Sequence, residues 1–322
     1  MFDVTAIGEL LIDFTPSGKN ELGMALFARN PGGAPANVLA MNARLGGKTA
    51  FLGKVGRDTF GDFLRQTLVD SQIDVSGLVV DERVPTTLAF VQLDDRGDRT
   101  FSFYRSPGAD LMLSAEELCK SAIEDGAIFH FGSVSLTGDP SRTANFEAAA
   151  YAKKLGKLIS FDPNFRPLLW EDIEEAKVHM KRGASMADLI KVSLEELELL
   201  TGESDLAKGS ALFLEAGAAL VLVSLGVDGA YYRNQNASGQ LHTYDVKTVD
   251  TTGAGDAFLG AVHYRLKGKS AAQLRELTKS ELEDLVDFAN AAGSLTTTKK
   301  GAIPAMPTLE EIEACRKKTP LL

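Results

Sequence analysis

The sequence predicts an α/β protein with a doubly wound, mostly parallel sheet that is flanked by helices and carries a small β subdomain. A chain of 322 residues can bury a large core. From residue 127 onward, short apolar runs alternate with helical stretches, which is typical of parallel strands joined by crossover helices. Hairpin-like segments nearer the N-terminus do not fit this alternation, and we expect them to lie outside the main sheet.

In the N-terminal part, apolar periodicity and turn residues set the predicted elements. Pro35 suits the first turn of a helix, and Gly46-Gly47 suits its end. Apolar residues on both sides of Gly8-Glu9 predict one continuous strand. The predicted elements are a strand at 3–14, a turn and short edge strand over 17–30, a helix at 35–45, a strand at 49–55, a helix at 59–71, and a hairpin of strands 88–93 and 100–105 joined by the polar turn 94–99.

The rest of the chain predicts the alternating part of the fold. Buried strands are expected at 128–131, 158–161, 189–192 and 219–225, with helices at 141–155, 171–187 and 194–201 between them. A strand-like run at 244–249 then leads into helices at 254–267, at 281–297 and from 308. We find no internal repeat, low-complexity tract or Pro/Ser-rich linker, so residues 1–322 are expected to form one domain.

The composition excludes several classes of function. A net charge of −10 and a pI near 5.0 argue against a nucleic-acid or membrane-surface partner. Cys119 and Cys315 lack CxxC spacing and predict no disulfide framework. The chain shows no signal-peptide pattern and no apolar run of membrane-spanning length, so we expect a reduced, cytoplasmic setting. No metal-ligand spacing relates the four histidines, which are His130, His179, His242 and His263.

One stretch carries the clearest chemical signal. Residues 249–260 read VDTTGAGDAFLG and open an amphipathic helix, whose first N–H groups and dipole favour an anion. Asp256 at that place fits a base that takes a proton from a hydroxyl while neighbouring N–H groups hold a phosphoryl group. It equally fits an N-terminal acid that stabilises its own helix. The chain has no GxxxxGK[ST] loop, and Phe258 stands where a dinucleotide fingerprint needs its third glycine.

Together with residues 31–38, which read PGGAPANV, this stretch resembles the two signatures of the PfkB (ribokinase-like) carbohydrate kinases. The resemblance covers essentially the whole chain and is closest to the fructokinases. It implies a ribokinase-like fold with a β lid formed by segments 14–31 and 86–106. It also implies transfer of the γ-phosphoryl of ATP to the 6-hydroxyl of D-fructose. Alternatives are a kinase for 2-keto-3-deoxygluconate or another ketose, and a non-catalytic sugar-binding regulator on the same scaffold.

The resemblance also implies roles for individual residues on the sugar side. Asp256 is the base, and the N–H groups after Gly253, those of Ala254, Gly255 and Asp256, form the anion hole. The residues implied to contact the sugar are Asp13, Gly32, Gly33, Asn37, Arg105 and Arg166. All of these except Asp13 have a structural alternative: a helix-surface amide for Asn37, an ordinary turn for the glycine pair, a solvated strand end for Arg105, and a turn-stabilising ion pair with Asp162 for Arg166.

On the nucleotide side, the family pattern implies a further set of positions. They are Lys191, Ser193, Ser224, Gly226, Gly229, Gly255 and Asn290. Glu196 matches the acid that organises Mg²⁺ through water, since a hard cation prefers carboxylate and water oxygens. Ser193 and Glu196 also form a complete capping-box pattern, and both roles can hold together.

Two further implications concern a monovalent cation and the assembly. Family members commonly bind such a cation, with K⁺ the candidate here, near positions that match Asp250, Thr252 and the loop of Lys300 and Gly301. Family lids often pair with the lid of a second subunit, which implies a homodimer. A β surface bearing Phe90, Phe101 and Phe103 needs covering, either by that partner or by the chain's own domain.

Overall fold

The computed structural model describes residues 1–93 and 99–322. In chain order, the strands are β1 (Phe2–Ile7), β2 (Leu11–Lys19), β3 (Ala25–Gly32), β4 (Thr49–Gly56), β5 (Ile73–Asp81), β6 (Leu88–Leu93), β7 (Arg99–Tyr104), β8 (Gly126–Gly132), β9 (Leu158–Asp162), β10 (Leu189–Ser193), β11 (Leu220–Ser224), β12 (Ala230–Arg233) and β13 (Ser238–Leu241). They form two sheets, one of nine strands and one of four.

Helices connect most of these strands. They are α1 (Ala34–Arg44), α2 (Thr59–Asp70), α3 (Lys120–Asp125), α4 (Ser141–Lys154), α5 (Ile173–Met186), α6 (Leu194–Thr201), α7 (Leu206–Glu215), α8 (Ala254–Arg265), α9 (Ala271–Glu276), α10 (Lys279–Thr296) and α11 (Leu309–Lys318). Across the described residues, none of these helices combines the length and apolarity needed to cross a membrane.

The larger sheet is doubly wound, as predicted. Its strand order in the described chain is β13-β12-β11-β10-β9-β8-β1-β4-β5, and all neighbouring strands are parallel except that β12 is antiparallel to both β11 and β13. One face packs against α1, α2 and α8 to α11, and the other against α3 to α7, so that two apolar cores enclose the sheet. The direction of winding reverses between β1 and β8, and such a reversal leaves a crevice at the carboxyl ends of the strands.

The smaller sheet has the order β3-β2-β6-β7 and lies outside the larger one. The prediction of a single strand over residues 3–14 is wrong, because the chain leaves the larger sheet at Gly8 and enters the smaller one at Leu11. A Cβ on Gly8 would stand 2.5 Å from Cγ of Pro35, so this crossing point packs directly on α1. Leu10 is buried at the crossing, and the apolar pattern therefore continues through the break.

Other expectations differ from the structure in detail. The strand expected at 244–249 is reduced to one bridge between Tyr244 and Leu321, followed by an irregular segment. The sequence patterns do not predict strands β5, β12 and β13 or helices α3, α7 and α9. The predicted hairpin is present as paired β6 and β7, but residues 94–98 of its turn lie outside the described residues.

Candidate active site

A cavity of about 510 Å³ lies where the smaller sheet meets the carboxyl edge of the larger one. Residues from both sheets, α1 and α8 line it. The predicted site residues on its wall are Asp13, Gly33, Asn37, Arg166, Lys191, Asp250, Thr252, Gly253, Gly255 and Asp256. The cavity thus brings together predicted site residues as far apart in the chain as Asp13 and Asp256, which are separated by 243 positions.

The first turns of α1 and α8 place the two central side chains. Nδ2 of Asn37 donates a hydrogen bond of 2.8 Å to Oδ2 of Asp256, and both side chains are buried. The helices approach closely at Gly260, where a Cβ would stand 2.5 Å from the carbonyl oxygen of Val38. The helix-surface alternative for Asn37 is therefore wrong.

Asp256 has the properties of a base that works near neutral pH. Burial raises its pKa from an ordinary 3.8 to about 6; the hydrogen bond from Asn37 opposes that rise, and the negative charge of Asp162 adds to it. Gly253, the residue just before α8, has a φ of 77°, a left-handed conformation that favours glycine. Around it, the amide of Ala254 donates to the carbonyl of Thr251. The amides of Gly255 and Asp256 have no acceptor among the described residues, so they can bind an anion.

Two cationic side chains, those of Lys191 and Arg166, line the same cavity as this helix terminus. Nζ of Lys191 lies 2.9 Å from Oδ2 of Asp162, and a Cβ on Gly255 would be 3.1 Å from the same nitrogen. Burial tends to lower the pKa of Lys191, but Asp162, Glu196 and Asp256 together raise it above its ordinary value, so the side chain stays charged.

Arg166 lies on the exposed loop after β9, where its guanidinium donates to the carbonyls of Asn164 and Phe165. Burial raises the pKa values of Asp13 and Asp256, and the positive charge of Arg166 opposes this rise. The ion pair of Asp162 is made with Lys191, which differs from the structural alternative considered for Arg166.

The opposite wall carries two more carboxyl groups, of which Glu9 is buried and Asp13 is partly buried. Burial raises the pKa of Asp13 to about 6 and that of Glu9 to about 7. A Cβ on Gly32 would stand 2.2 Å from Oδ2 of Asp13, so Gly32 makes room for that carboxylate rather than lining the cavity. Glu9 was missed by sequence reasoning. Its Oε1 accepts a hydrogen bond of 2.9 Å from the amide of Ala34 and caps α1 across 25 residues, a contact that no local pattern reveals.

Arg105 directly follows β7 and lies outside the cavity. Its Nε donates to Asp110 at 2.9 Å, and its Nη1 donates to Thr137 at 2.8 Å. With 8% of its surface exposed, it is not the solvated strand-end arginine of the alternative interpretation. Asp110, in the turn of residues 109–112, supplies the buried carboxylate that holds it.

The capping box predicted at Ser193 and Glu196 is confirmed. Oε2 of Glu196 accepts from the amide of Ser193 at 2.8 Å, and Oε1 accepts from the amide of Phe165 at 2.7 Å. Burial and the neighbouring charge of Asp162 raise the pKa of Glu196. Within the described part of the chain, no three His, Cys, Asp or Glu side chains form a metal-binding cluster.

The predicted nucleotide-side residues beyond Lys191 and Gly255 lie outside the cavity. Ser224 stands beside Ser193 in the register of β10 and β11. Gly229 has a φ of 89°, and a Cβ there would be 1.9 Å from the carbonyl oxygen of Leu241. Asn290 donates to that same carbonyl and to the next one, at 3.2 and 3.1 Å. Gly226, with a φ of 62°, starts the turn between β11 and β12.

The segments expected around a monovalent cation also meet. Oδ1 of Asp250 accepts from the amide and the hydroxyl of Thr252, at 3.0 and 2.7 Å. Its Oδ2 accepts from the amide of Gly301 at 3.0 Å. Lys300 of the same loop lines the cavity.

The predicted β surface divides into two faces. Phe103 lines the cavity, whereas the ring of Phe90 stacks on that of Phe14 at 4.8 Å on the other face. Tyr104 and Phe27 border Phe90 and are exposed by 67% and 40%. The prediction that Phe90 and Phe103 share one surface is therefore wrong; the side chain of Phe101 lies outside the described residues.

Comparisons with known proteins agree with this geometry. Residues 1–309 match the pfkB family carbohydrate kinase. The chain is 44% identical over 312 residues to Fructokinase-1 of Zea mays, covering 96% of both chains. It is similar to the solved structure of fructokinase with bound ATP from Xylella fastidiosa, with 34% identity, a TM-score of 0.91 and 99% of both chains covered. A double mutant of the Vibrio cholerae O395 fructokinase, bound to fructose, ADP and a potassium ion, has 36% identity, a TM-score of 0.86 and 97% coverage of both chains. The chain therefore belongs to the pfkB family of carbohydrate kinases.

Proposed function

We propose that this protein is an ATP-dependent fructokinase, which transfers the γ-phosphoryl group of ATP to the 6-hydroxyl of D-fructose. The observation that carries the proposal is Asp256, a buried carboxylate with a pKa of about 6 at the start of α8, on the wall of a cavity large enough for a sugar. The names of the similar proteins supply the choice of fructose.

In the proposed reaction, Asp256 takes the proton of the 6-hydroxyl while that oxygen bonds to the γ-phosphorus. The bond from this phosphorus to the bridging oxygen breaks, and ADP leaves with the electron pair. The amides of Gly255 and Asp256 and the ammonium of Lys191 stabilise the charge on the transferred group. Asn37 keeps the carboxylate of Asp256 oriented through their 2.8 Å hydrogen bond.

For the sugar, Asp13 accepts hydrogen bonds from hydroxyl groups, and Asn37 both donates to and accepts from them. Gly33 lets the backbone approach the ring. Buried polar groups of this kind reject a sugar that leaves them unpaired. Arg166 supplies positive charge at the cavity mouth. Arg105 is assigned a structural role behind this wall of the cavity. Its positive charge opposes the rise in the pKa of Glu9 that burial causes, and its guanidinium is held in an ion pair with Asp110.

For the nucleotide, Ser193, Ser224, Gly226, Gly229 and Asn290 form the proposed adenosine surface beside α8. Glu196 would hold Mg²⁺ through water, with buried Asp162 close enough to affect its pKa. When bound, this cation supplies neutralising charge for the phosphates. Asp250 and Thr252 sit where a K⁺ ion would bind next to the loop of Gly301.

The smaller sheet is the proposed lid of a single domain that spans residues 1–322. One face of it covers the cavity, and the other exposes Phe27 and Tyr104. An exposed aromatic surface of this kind suits a homodimer formed through the lid.

A second substrate class is favoured by one specific observation. Arg166, Lys191 and Lys300 bring three cationic side chains to the same cavity. A carboxylate on the sugar could pair with them, as in 2-keto-3-deoxygluconate.

A coupled assay of ADP release tests the proposal. Fructose, 2-keto-3-deoxygluconate, ribose and tagatose are compared as acceptors at matched concentrations of MgATP. We expect the highest kcat/KM for fructose. A higher kcat/KM for the keto acid would overturn the choice of sugar, and sugar binding without any ADP release would indicate the non-catalytic regulator.

A further inference from the structure

A polar cluster lies inside the core beneath the cavity. Oγ of Ser160 is 2.7 Å from Nε2 of His263 and 3.1 Å from Nδ1 of His130, and all three residues are buried with at most 1% of their surface exposed. The two imidazole rings meet edge to face, with centroids 5.3 Å apart. The proposed reaction uses none of these groups.

The chemistry of the cluster fixes the direction of its hydrogen bonds. Burial lowers the pKa of His130 to about 4 and that of His263 well below its ordinary value, so both rings are neutral. Nδ1 of His263 has no partner in the described structure. Because a buried N–H is rarely left unpaired, the proton belongs on Nε2 and is donated to Ser160. The hydroxyl of Ser160 then donates to Nδ1 of His130, and a single arrangement results.

The cluster lies where β9 contacts α8, the helix that also carries Asp256. Ser160 and Asp162 are two residues apart on β9 and point to the same face of the sheet. His263 and Asp256 are seven residues apart on α8, nearly two turns, and therefore share one side of the helix. Asp162 in turn pairs with Lys191, which lies next to the start of α8.

The apolar pattern of α8 does not by itself set the rotation of this helix. Residues 256–263 of α8 are all buried, so the helix has no single apolar stripe to set its rotation. A hydrogen bond in the core requires one geometry and is strong in that low-dielectric environment.

We propose that His263 is a positioning residue, which fixes through Ser160 where α8 lies along β9 and thereby where Asp256 stands in the cavity. The proposal rests on the proposed role of Asp256 as the base. A displacement of about 1 Å at a reacting group can lower a rate by about a hundredfold, so a modest shift of α8 is measurable.

The test compares three variants in the full-length protein. His263→Phe removes the hydrogen bond and should lower kcat by about tenfold or more, with little change in the KM values for sugar and ATP. His263→Gln, whose amide nitrogen can donate from a similar position, should recover most of the loss. Ser160→Ala should match His263→Phe, and the double variant should be no slower than either single variant, because all three lose the same link.

Thr5→Val is the matched control. It removes a buried 2.9 Å hydrogen bond from Thr5 to the carbonyl of Ala122, whose helix packs on the face of the sheet opposite α8, and should lower thermal stability while kcat is unchanged. The proposal is overturned if folded His263→Phe keeps the parent kcat, if folded His263→Gln fails to recover it, or if Thr5→Val loses kcat equally.

Nitrogen-15 NMR of the imidazole rings provides a readout that does not depend on activity. We expect His263 as the neutral Nε2–H tautomer, with a shift that changes in Ser160→Ala. A shift that is the same in Ser160→Ala would refute the link, and an Nδ1–H tautomer would contradict the direction assigned to its hydrogen bond. A parent enzyme that releases no ADP with any sugar would contradict the proposed function instead, and the NMR result would still decide whether the link exists.

Discussion

Replacing Asp256 by asparagine should slow the enzyme and stabilise it at the same time. Asparagine keeps an oxygen that can accept the hydrogen bond from Asn37, but it cannot take a proton from the sugar. We expect kcat to fall by a factor on the order of 10²–10⁴, the usual contribution of a general base, while sugar binding is retained.

The effect on stability follows from the pKa. The carboxyl group of Asp256 has a pKa of about 6 in the folded protein and an ordinary value of 3.8. The folded state therefore binds the proton more tightly, and this contribution to stability is complete below 3.8 and is lost as the pH rises through about 6. At about 1.4 kcal/mol for each tenfold change in proton affinity, the buried carboxylate destabilises the fold by about 3 kcal/mol at pH 8 and by about half as much at pH 5.

Urea denaturation of the parent and of Asp256→Asn at pH 5 and pH 8 measures this difference. The free energy of unfolding of the variant should exceed that of the parent, with the larger excess at pH 8. Asp245→Asn, on an exposed side chain, is the control and should change neither quantity. Equal stability of Asp256→Asn and its parent at pH 8, or parent-like turnover of the variant, would refute the account of a desolvated base.

Three further predictions follow from the cavity wall. The kcat/KM of the parent should fall below about pH 6, where Asp256 and Asp13 become protonated; a profile that stays flat to pH 5 would contradict this. Gly32→Ala should raise the KM for the sugar by about tenfold or more without changing the KM for ATP, because its Cβ would overlap Asp13, whereas Gly138→Ala has ordinary space and should be neutral. Arg166→Met removes a charge that lowers both carboxyl pKa values, so kcat should decrease and the acidic limb of the pH profile should move to higher pH; an unmoved limb would exclude this electrostatic role.

The parts of the fold that depend on local pattern could be predicted from the sequence. Pro35 and Gly46 bracket α1, and the buried runs of β8 to β11 alternate with helices as expected. The break at Gly8 could not be predicted, because Leu10 and Leu11 continue the apolar pattern of β1 while the chain changes sheets. The apolar pattern indicates that a residue is buried, but it does not indicate which sheet the residue belongs to.

Local signals also identified part of the site. Ser193 and Glu196 form the capping box that their spacing predicts, because both partners lie within one helical turn. Partners that come from distant elements gave no such signal. Arg105 is held by Asp110 rather than standing free, and Glu9 caps α1 from the crossing between the two sheets. Such contacts are set by tertiary packing, and no local spacing encodes them.

Product analysis tests the central claim most directly. The parent and Asp256→Asn are incubated with fructose and MgATP, and phosphorus-31 and carbon-13 NMR identify the phosphorylated carbon. We predict fructose 6-phosphate from the parent and at least about a hundredfold slower formation by the variant. Phosphate on a different carbon, or equal rates from the two proteins, would contradict the account.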